Sequence, residues 1–139
     1  MPDTWVRNAA AEALGVFTLC FIGIMAINSP NDLTGLALAQ GLAIGVMVAA
    51  LGHVSGGHFN PAITLGLLLG RKIDLPMAGV YWAAQLLGGV IAAVVVALLV
   101  SREAVAIGTP TLAADVIPLV GVLLEMVATF FLVLVAAGG

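Results

Sequence analysis

The residues of this sequence with the clearest chemical potential form a short polar cluster, Ser55-Gly-Gly-His-Phe-Asn-Pro-Ala62. Asn60 is a favourable helix N-cap, and Pro61 suits the first helical position because its missing N–H is not needed there. If the side-chain oxygen of Asn60 accepts the N–H of Ala62 or Ile63, the amide NH2 stays free as a neutral donor. The helix macrodipole adds about half a positive elementary charge at this tip. We therefore expect it to attract electronegative atoms and to repel cations.

The glycines before Asn60 predict hydrogen-bond acceptors beside this donor. Two adjacent glycines, Gly56 and Gly57, favour left-handed or extended conformations over regular helix. Such backbone leaves its carbonyl oxygens unpaired, which at membrane depth is tolerable only beside a water-filled cavity or inside protein. The sequence therefore predicts a polar conduit along residues 56–60.

Motifs for catalysis or metal binding do not accompany this cluster. The sequence has no Gly-x-Ser-x-Gly elbow, phosphate-binding loop or paired carboxylates. Neither His53 nor His58 has a second His, Cys or carboxylate at metal-ligand spacing. We expect His58 to pack within the loop. For His53, a role in pH gating is a function that the sequence leaves open. The sequence thus predicts no enzyme activity, no metal and no cofactor.

The composition places the cluster in a membrane protein. Of 139 residues, 63% are hydrophobic and 8% are charged, whereas a soluble domain carries about 25% charged residues. A mean hydropathy of +1.24 also excludes a disordered or nucleic-acid-binding chain. The formal charge of -3 is spread over short loops and indicates no particular partner. The single cysteine, Cys20, cannot form an internal disulfide.

Four apolar runs are long enough to cross a bilayer, which requires about 20 helical residues. They cover residues 8–28, 34–53, 77–101 and 115–137. A fifth run, residues 61–70, would cover only about 15 Å, half of the hydrocarbon core. His53 precedes this run and two basic residues follow it, so both ends are expected on one side of the membrane. We interpret residues 53–70 as a re-entrant loop with a half-helix.

Residues near the span ends predict orientation and packing. Three basic residues would lie on one side of the membrane and one on the other, which places the N-terminus in the cytoplasm: Arg7, Arg71 and Lys72 against Arg102. Three aromatic residues are expected near the headgroup layer: Trp5, Tyr81 and Trp82. Four glycines are expected to let helices pack closely: Gly41, Gly45, Gly88 and Gly89.

These residues together resemble the aquaporin family, also called the major intrinsic proteins. Ser-Gly-Gly-His-Phe-Asn-Pro-Ala-Ile-Thr, residues 55–64, is similar to the family's first Asn-Pro-Ala loop and half-helix. Ala11-Glu-Ala-Leu-Gly15 resembles the family's first helix, Ala39-Gln-Gly-Leu-Ala-Ile-Gly45 its second and Tyr81-Trp-Ala-Ala-Gln-Leu-Leu-Gly88 its third. The resemblance extends over essentially the whole sequence.

The resemblance implies an all-α integral membrane fold, an aquaporin-like right-handed helical bundle with a re-entrant half-helix. The family has six spans and two half-helices in an inverted repeat. Residues 1–139 would form a partial channel domain, truncated after the fourth span, with the first repeat at 8–101 and the second starting at 115–139. Glu12-Ala-Leu-Gly-Val-Phe-Thr-Leu and Glu125-Met-Val-Ala-Thr-Phe-Phe-Leu resemble each other, as the openings of two repeats would.

The resemblance also assigns roles to single residues. It implies that Asn60 donates to permeating water and that four backbone carbonyls form an acceptor ladder. The pore residues would be Asn60, Pro61 and Ala62 with Gly56, Gly57, His58 and Phe59. Glu12 and Glu125 would be buried carboxylates that accept hydrogen bonds from loop backbone, and Gln85 would brace the loop or a neighbouring helix. A proton relay is the alternative for Glu12.

Gln40 is the candidate selectivity-filter residue. It lies 20 positions before Asn60, where the family places its second-helix contribution to the outer constriction. Many water-selective members have an aromatic ring there, whereas an amide would suit polar solutes such as ammonia or peroxide besides water. Interhelical hydrogen bonding is the alternative for Gln40.

The implied function is a passive channel for water or small neutral solutes. Its partners would be the lipid bilayer and the solute, without nucleic acid, and the complete protein would be a homotetramer in the plasma membrane. Half of a secondary transporter is less favoured, because no Asp, Glu, Lys or Arg lies between His53 and Gly70. A non-conducting fragment or an assembly subunit is the remaining alternative.

Overall fold

The structure is a computed structural model that describes residues 2–138, which form six helices and no strand. The helices are α1 (Pro2–Ile27), α2 (Leu33–Ser55), α3 (Pro61–Leu69), α4 (Leu75–Leu99), α5 (Arg102–Ile107) and α6 (Pro118–Gly138). Four of them are long and apolar enough to cross a membrane: α1, α2, α4 and α6. This confirms the predicted all-α membrane fold. Met1 and Gly139, the ends of the predicted domain, lie outside the described residues, and the division into repeats stays a prediction.

Short polar residues start the helices that follow loops. A side-chain oxygen caps the first turn of α2, α3, α4 and α5 and satisfies a backbone N–H there. The four caps are Asp32 to the N–H of Gly35 at 2.7 Å, Asn60 to Ala62 at 2.7 Å, Asp74 to Met77 at 2.9 Å and Ser101 to Ala104 at 3.0 Å. α3, with nine residues, is about 14 Å long. It therefore reaches only about halfway across a bilayer core.

α1 and α4 form the centre of the fold. α1 contacts α2, α4 and α5, and α4 also contacts α3 and α5. At Gly88 of α4, an added Cβ would meet the carbonyl oxygen of Ala13 on α1. Small buried residues such as Ala78 and Ala92 continue this interface along α4. The backbones of α1 and α4 can therefore approach closely, as expected for helices packed in lipid.

Within residues 2–138, Gly41 and Gly45 of α2 have no packing partner, so the expectation of close packing stays a prediction for them. Both glycines are exposed, and a Cβ added at either one would meet nothing within 4 Å. Among the described helices, α2 contacts only α1. The two glycines do not lie on the face of α2 that contacts α1. Within residues 2–138, the structure therefore does not support a role for them in packing.

α6 lies at the edge of the described structure. It contacts only α3 among these helices, and none of its described side chains is buried. The contact is close at Gly66, where an added Cβ would meet Val133. The ammonium group of Lys72 donates to the carbonyl oxygen of Ala137, near the C-terminal end of α6. A positive charge at this end is stabilising, because it lies near the partial negative charge of the helix dipole.

The start of α1 and the presence of α5 differ from what the hydropathy pattern predicts. α1 begins at Pro2, before the predicted residue 8, because a helix can continue past its apolar run into polar surroundings. Asp3 in its first turn stabilises the positive end of the helix dipole. α5 was not predicted because its six residues are too few to give a periodic signal. α5 packs against α1 and α4.

Candidate functional site

The chain leaves regular helix at Gly56 and re-enters it at Pro61. Gly56 and Gly57 have φ values of 88° and 67°, in the left-handed region that glycine adopts without a steric penalty. Phe59 also has a positive φ, 45°, which is uncommon for a residue with a Cβ. In the described chain, no N–H group donates to the carbonyl oxygens of residues 56–59. Within residues 2–138, these four carbonyls therefore have no hydrogen-bond donor.

The Glu12 carboxylate holds this loop in place. Its side chain is 0% exposed, and each oxygen accepts two hydrogen bonds. Oε1 accepts from Ser55 Oγ at 2.6 Å and from the His58 N–H at 3.0 Å. Oε2 accepts from the Phe59 N–H at 2.7 Å and from Gln85 Nε2 at 2.8 Å. Four donors compensate the cost of burying a carboxylate.

The partners of Glu12 also bear on its alternative role. The four donors are a hydroxyl, two backbone amides and a side-chain amide. None of these groups is an acid or a base that exchanges protons readily near neutrality. The geometry therefore favours bracing of the loop over a proton relay through Glu12.

Thr64 links the loop to the half-helix. Its hydroxyl accepts from Gln85 Nε2 at 3.0 Å and donates to the carbonyl oxygen of Asn60 at 3.2 Å. The ring Nδ1 of His58 lies 3.0 Å from the same hydroxyl. Because the hydroxyl has only one proton to donate, Nδ1 of His58 is assigned the hydrogen of this contact. The network joins α1, α3, α4 and the loop through buried polar groups.

Gln85 is held by one end of its amide. Its side chain is 1% exposed, and both of its hydrogen bonds come from Nε2. The Oε1 atom has no partner within the described residues. Since the acceptors Glu12 and Thr64 both face Nε2, they determine the orientation of the amide.

Two aromatic residues of α4 donate hydrogen bonds to backbone at the two ends of the loop. Tyr81 is 2% exposed, and its hydroxyl donates to the carbonyl oxygen of Ser55 at 2.5 Å. Its ring meets that of His58 edge to face, with the ring centroids 4.8 Å apart. Trp82 donates from Nε1 to the carbonyl oxygen of Pro61 at 3.0 Å. Tyr81 is therefore enclosed by protein and not exposed to headgroups as expected, whereas the interfacial position of Trp82 stays a prediction.

Asn60 caps α3 in the way its sequence suggests. Its Oδ1 accepts the N–H of Ala62 at 2.7 Å, and Pro61 occupies the first turn. Its backbone is extended, with φ -158° and ψ 127°. Within residues 2–138, the Nδ2 group of Asn60 donates to no acceptor. A neutral donor is thus left at the positive end of the half-helix.

A cavity of about 520 Å³ adjoins this donor. Its walls come from α1, α2, α4, the re-entrant loop and the segment around the end of α5. Asn60 and Gln40 both line it, and most of the remaining wall is apolar. The cavity lining includes Cys20, Gly23, Gln40, Phe59, Asn60 and Gly89. The structure therefore brings the candidate filter residue and the candidate pore residue to one cavity.

The structure does not bring Glu125 into a comparable contact. Its side chain is exposed and lines an apolar groove of about 740 Å³ along α6. α6 contacts only α3, and a regular helix has few backbone N–H groups to offer beyond its own hydrogen bonds. The expectation that Glu125 is buried and accepts loop amides is therefore not met among residues 2–138.

Three residues were not identified from the sequence as hydrogen-bond donors in this site. Ser55 donates to Glu12, Thr64 to the Asn60 carbonyl and Tyr81 to the Ser55 carbonyl. Thr64 lies four positions after Asn60, so helical spacing could have indicated its contact with the Asn60 carbonyl. The other two contacts join residues 26 and 43 positions apart, and no local pattern encodes them. Within residues 2–138, no three His, Cys, Asp or Glu side chains group as metal ligands.

Comparison with known proteins identifies relatives over nearly the whole chain. The family described as Major intrinsic protein matches residues 2–138. Aquaporin TIP1-2 of Zea mays is 39% identical over 143 residues, covering 95% of this chain and 55% of the relative. Aquaporin-8 of Rattus norvegicus is 43% identical over 96 residues, covering 66% of this chain and 36% of the relative.

A bacterial relative is named a glycerol uptake facilitator and not an aquaporin. Glycerol uptake facilitator protein-like 6 of Lactiplantibacillus plantarum is 42% identical over 97 residues, covering 69% of this chain and 45% of the relative. The chain thus spans about half the length, or less, of the curated relatives it matches. Since the family match extends from residue 2 to residue 138, the chain belongs to the major intrinsic protein family.

Proposed function

We propose that this chain forms part of a passive channel for water and small neutral solutes. Two of the relatives described above are named aquaporins and one is named a glycerol uptake facilitator. Members of the family are channels and not enzymes. The four candidate membrane spans agree with a membrane setting.

One observation carries the proposal most directly. The free Nδ2 donor of Asn60 faces a cavity at the tip of a half-helix, directly after a loop with four unpaired carbonyls. A water molecule can donate to the carbonyls of residues 56–59 and accept from Asn60. Donors and acceptors fixed in this order replace the hydrogen bonds that water leaves behind when it enters a narrow path.

The same groups disfavour cations. The macrodipole of α3 places partial positive charge at Asn60, and the described cavity lining contains no carboxylate. A cation would lose its hydration at this point without a negative partner, which is costly in a low-dielectric interior. A neutral solute loses less, so the proposed path selects by charge.

Gln40 supports passage of polar solutes other than water. Its amide borders the cavity that contains Asn60 and supplies both a donor and an acceptor. An aromatic ring at this position would offer only an apolar wall. We therefore include ammonia and peroxide among the candidate solutes.

The setting of the channel is part of the proposal. We propose a multi-pass topology in the plasma membrane, and we place the N-terminus in the cytoplasm from the distribution of basic residues. A homotetramer is the proposed assembly of the complete protein. Lipid and the permeating solute are the proposed partners.

A second candidate is an assembly subunit that conducts only with a partner. It is favoured by Glu125, a charged residue in an apolar span that is exposed on the described part of α6. A carboxylate facing lipid is costly, so a segment that donates hydrogen bonds to it would stabilise α6. This candidate uses the same cavity and differs only in what completes its wall.

Osmotic shrinkage of liposomes that contain the purified chain tests the proposal. We expect the assembled chain to give water flux above that of protein-free liposomes, with protons excluded, and Asn60→Ser to lower it, whereas verified monomers of residues 1–139 should insert without forming a selective water pore. Serine keeps a capping oxygen but removes the NH2 donor. Asp74→Ser is the matched control, because it changes the cap of α4 away from the cavity.

The outcome also separates the two candidates. Correctly inserted, assembled chain without any water flux would contradict the pore proposal for this chain. Flux that appears only after a second polypeptide is added would support the assembly subunit instead.

A further inference from the structure

Gly23 of α1 lies against the end of the Gln40 side chain. A Cβ added at Gly23 would overlap Nε2 of Gln40 and would lie 3.4 Å from its Cδ atom. The amide of Gln40 therefore occupies the space that a side chain at position 23 would need. Both residues line the cavity that also contains Asn60.

The Gln40 amide has no other anchor in the described structure. Within residues 2–138 it makes no hydrogen bond, although its side chain is half-buried. The position of the amide therefore depends on the space that the neighbouring side chains leave open. The missing side chain of Gly23 leaves a recess in the cavity wall, and the amide lies in that recess with its polar atoms available to a solute.

We propose that Gly23 is a positioning residue that holds the Gln40 amide out of the path and thereby sets the width and solute preference of the cavity. The effect on solutes rests on the proposed channel function, whereas the effect on width does not. Because the overlapping atom is the end of a flexible side chain, filling the recess moves the amide and not the helices. The displaced amide would move into the cavity.

The single cysteine of the chain gives a direct measure of this width. Cys20 lines the same cavity one turn of α1 from Gly23, and its Sγ faces Gly89 of α4. We suggest labelling Cys20 in reconstituted chain with methyl and benzyl methanethiosulfonate, which share a reactive group and differ in width. The ratio of the two rates reports access to Cys20 and needs no conduction.

Gly23→Ala is the principal variant. We expect the benzyl-to-methyl rate ratio to fall about fivefold, a coupling of the size usual for residues in contact. In Gly23→Ala/Gln40→Ala the ratio should return to at least the wild-type value, because no amide remains to be displaced. Gly41→Ala is the matched control: it adds the same methyl group beside Gln40 in open space and should leave the ratio unchanged.

Two results would overturn the positioning role. One is an unchanged ratio in Gly23→Ala. The other is an equal fall in the double variant, since the methyl group itself would then narrow the cavity. If Gly23→Ala does not fold, Gly23→Ala/Gln40→Ala decides: removal of the amide should restore folding, and a double variant that also fails to fold contradicts the proposal, because the methyl group would then displace more than the amide.

Solute preference is measured separately in liposomes. Gly23→Ala should lower ammonia flux relative to water flux, and Gly41→Ala should not. A change in the thiol ratio without a change in the flux ratio overturns the effect on solute preference. A wild-type chain that conducts no solute contradicts the proposed function and that effect together, while the thiol ratio still decides whether Gly23 positions Gln40.

Discussion

Glu12→Gln should loosen the re-entrant loop while keeping the shape of the side chain. The substitution replaces one carboxylate oxygen by an NH2 group, although all four partners of Glu12 donate to it in the structure. The Ser55 hydroxyl can rotate and accept from the new NH2 group. The N–H of His58, which shares the same oxygen, would then lose its acceptor.

The expected cost follows from these contacts. An unpaired buried N–H costs about 1–3 kcal/mol. The bonds that remain to Phe59 and Gln85 lose the contribution of the negative charge, which makes a hydrogen bond roughly twice as strong. We therefore expect the loop to be destabilised by about 3 kcal/mol. Its amides should exchange with solvent about a hundredfold faster if exchange occurs by local opening.

Amide hydrogen exchange in mild detergent micelles measures this opening. The diagnostic amides are those of His58 and Phe59, which donate directly to Glu12. Glu125→Gln is the control, because Glu125 is exposed and should leave both amides unchanged. Wild-type exchange at His58 and Phe59 in Glu12→Gln would refute the argument that this carboxylate holds the loop.

Three further predictions concern the pore residues and the packing of α1 against α4. Asn60→Asp keeps the helix cap but replaces the free donor with a negative charge, so we expect a cation leak or loss of water flux in liposomes; normal water flux without ion current would contradict this. Gln40→Phe exchanges an amide for an apolar ring at the cavity wall, and ammonia flux should fall relative to water flux; a constant ratio would identify Gln40 as a packing residue. Gly88→Ala places a methyl group against the carbonyl oxygen of Ala13 and should destabilise the chain by about 1–3 kcal/mol; thermal unfolding in detergent measures this, and Gly79→Ala, with open space at its Cβ, should not be destabilised.

Local patterns in the sequence were sufficient for the spans and for the helix cap. The four spans depend only on apolar runs, and their positions follow the predicted runs to within a few residues except at the start of α1. The cap at Asn60 joins atoms two residues apart. Such contacts depend on the identity of neighbouring residues, so the Asn-Pro pair was enough to indicate them.

Contacts between distant segments were harder to infer from sequence. The hydrogen bond from Tyr81 to Ser55 reverses the expected interfacial position of an aromatic ring. The recess at Gly23 depends on where Gln40 of another helix ends. Glu125 matches Glu12 within a similar run of residues, yet within residues 2–138 α1 contacts three helices and α6 contacts one. Sequence similarity indicates the type of residue, whereas burial depends on which helices pack around it.

The hydrogen bonds of Gln85 have a consequence for the order of assembly during synthesis. Gln85 joins Glu12, 73 positions earlier, to Thr64, 21 positions earlier. The loop and half-helix leave the ribosome before α4 does, so they enter the membrane while Thr64 and Glu12 still lack this donor. We expect the re-entrant segment to sample several conformations during that interval and to reach its final conformation only when α4 docks against α1. The third span to be inserted would thus complete a structure that is encoded between the second and the third.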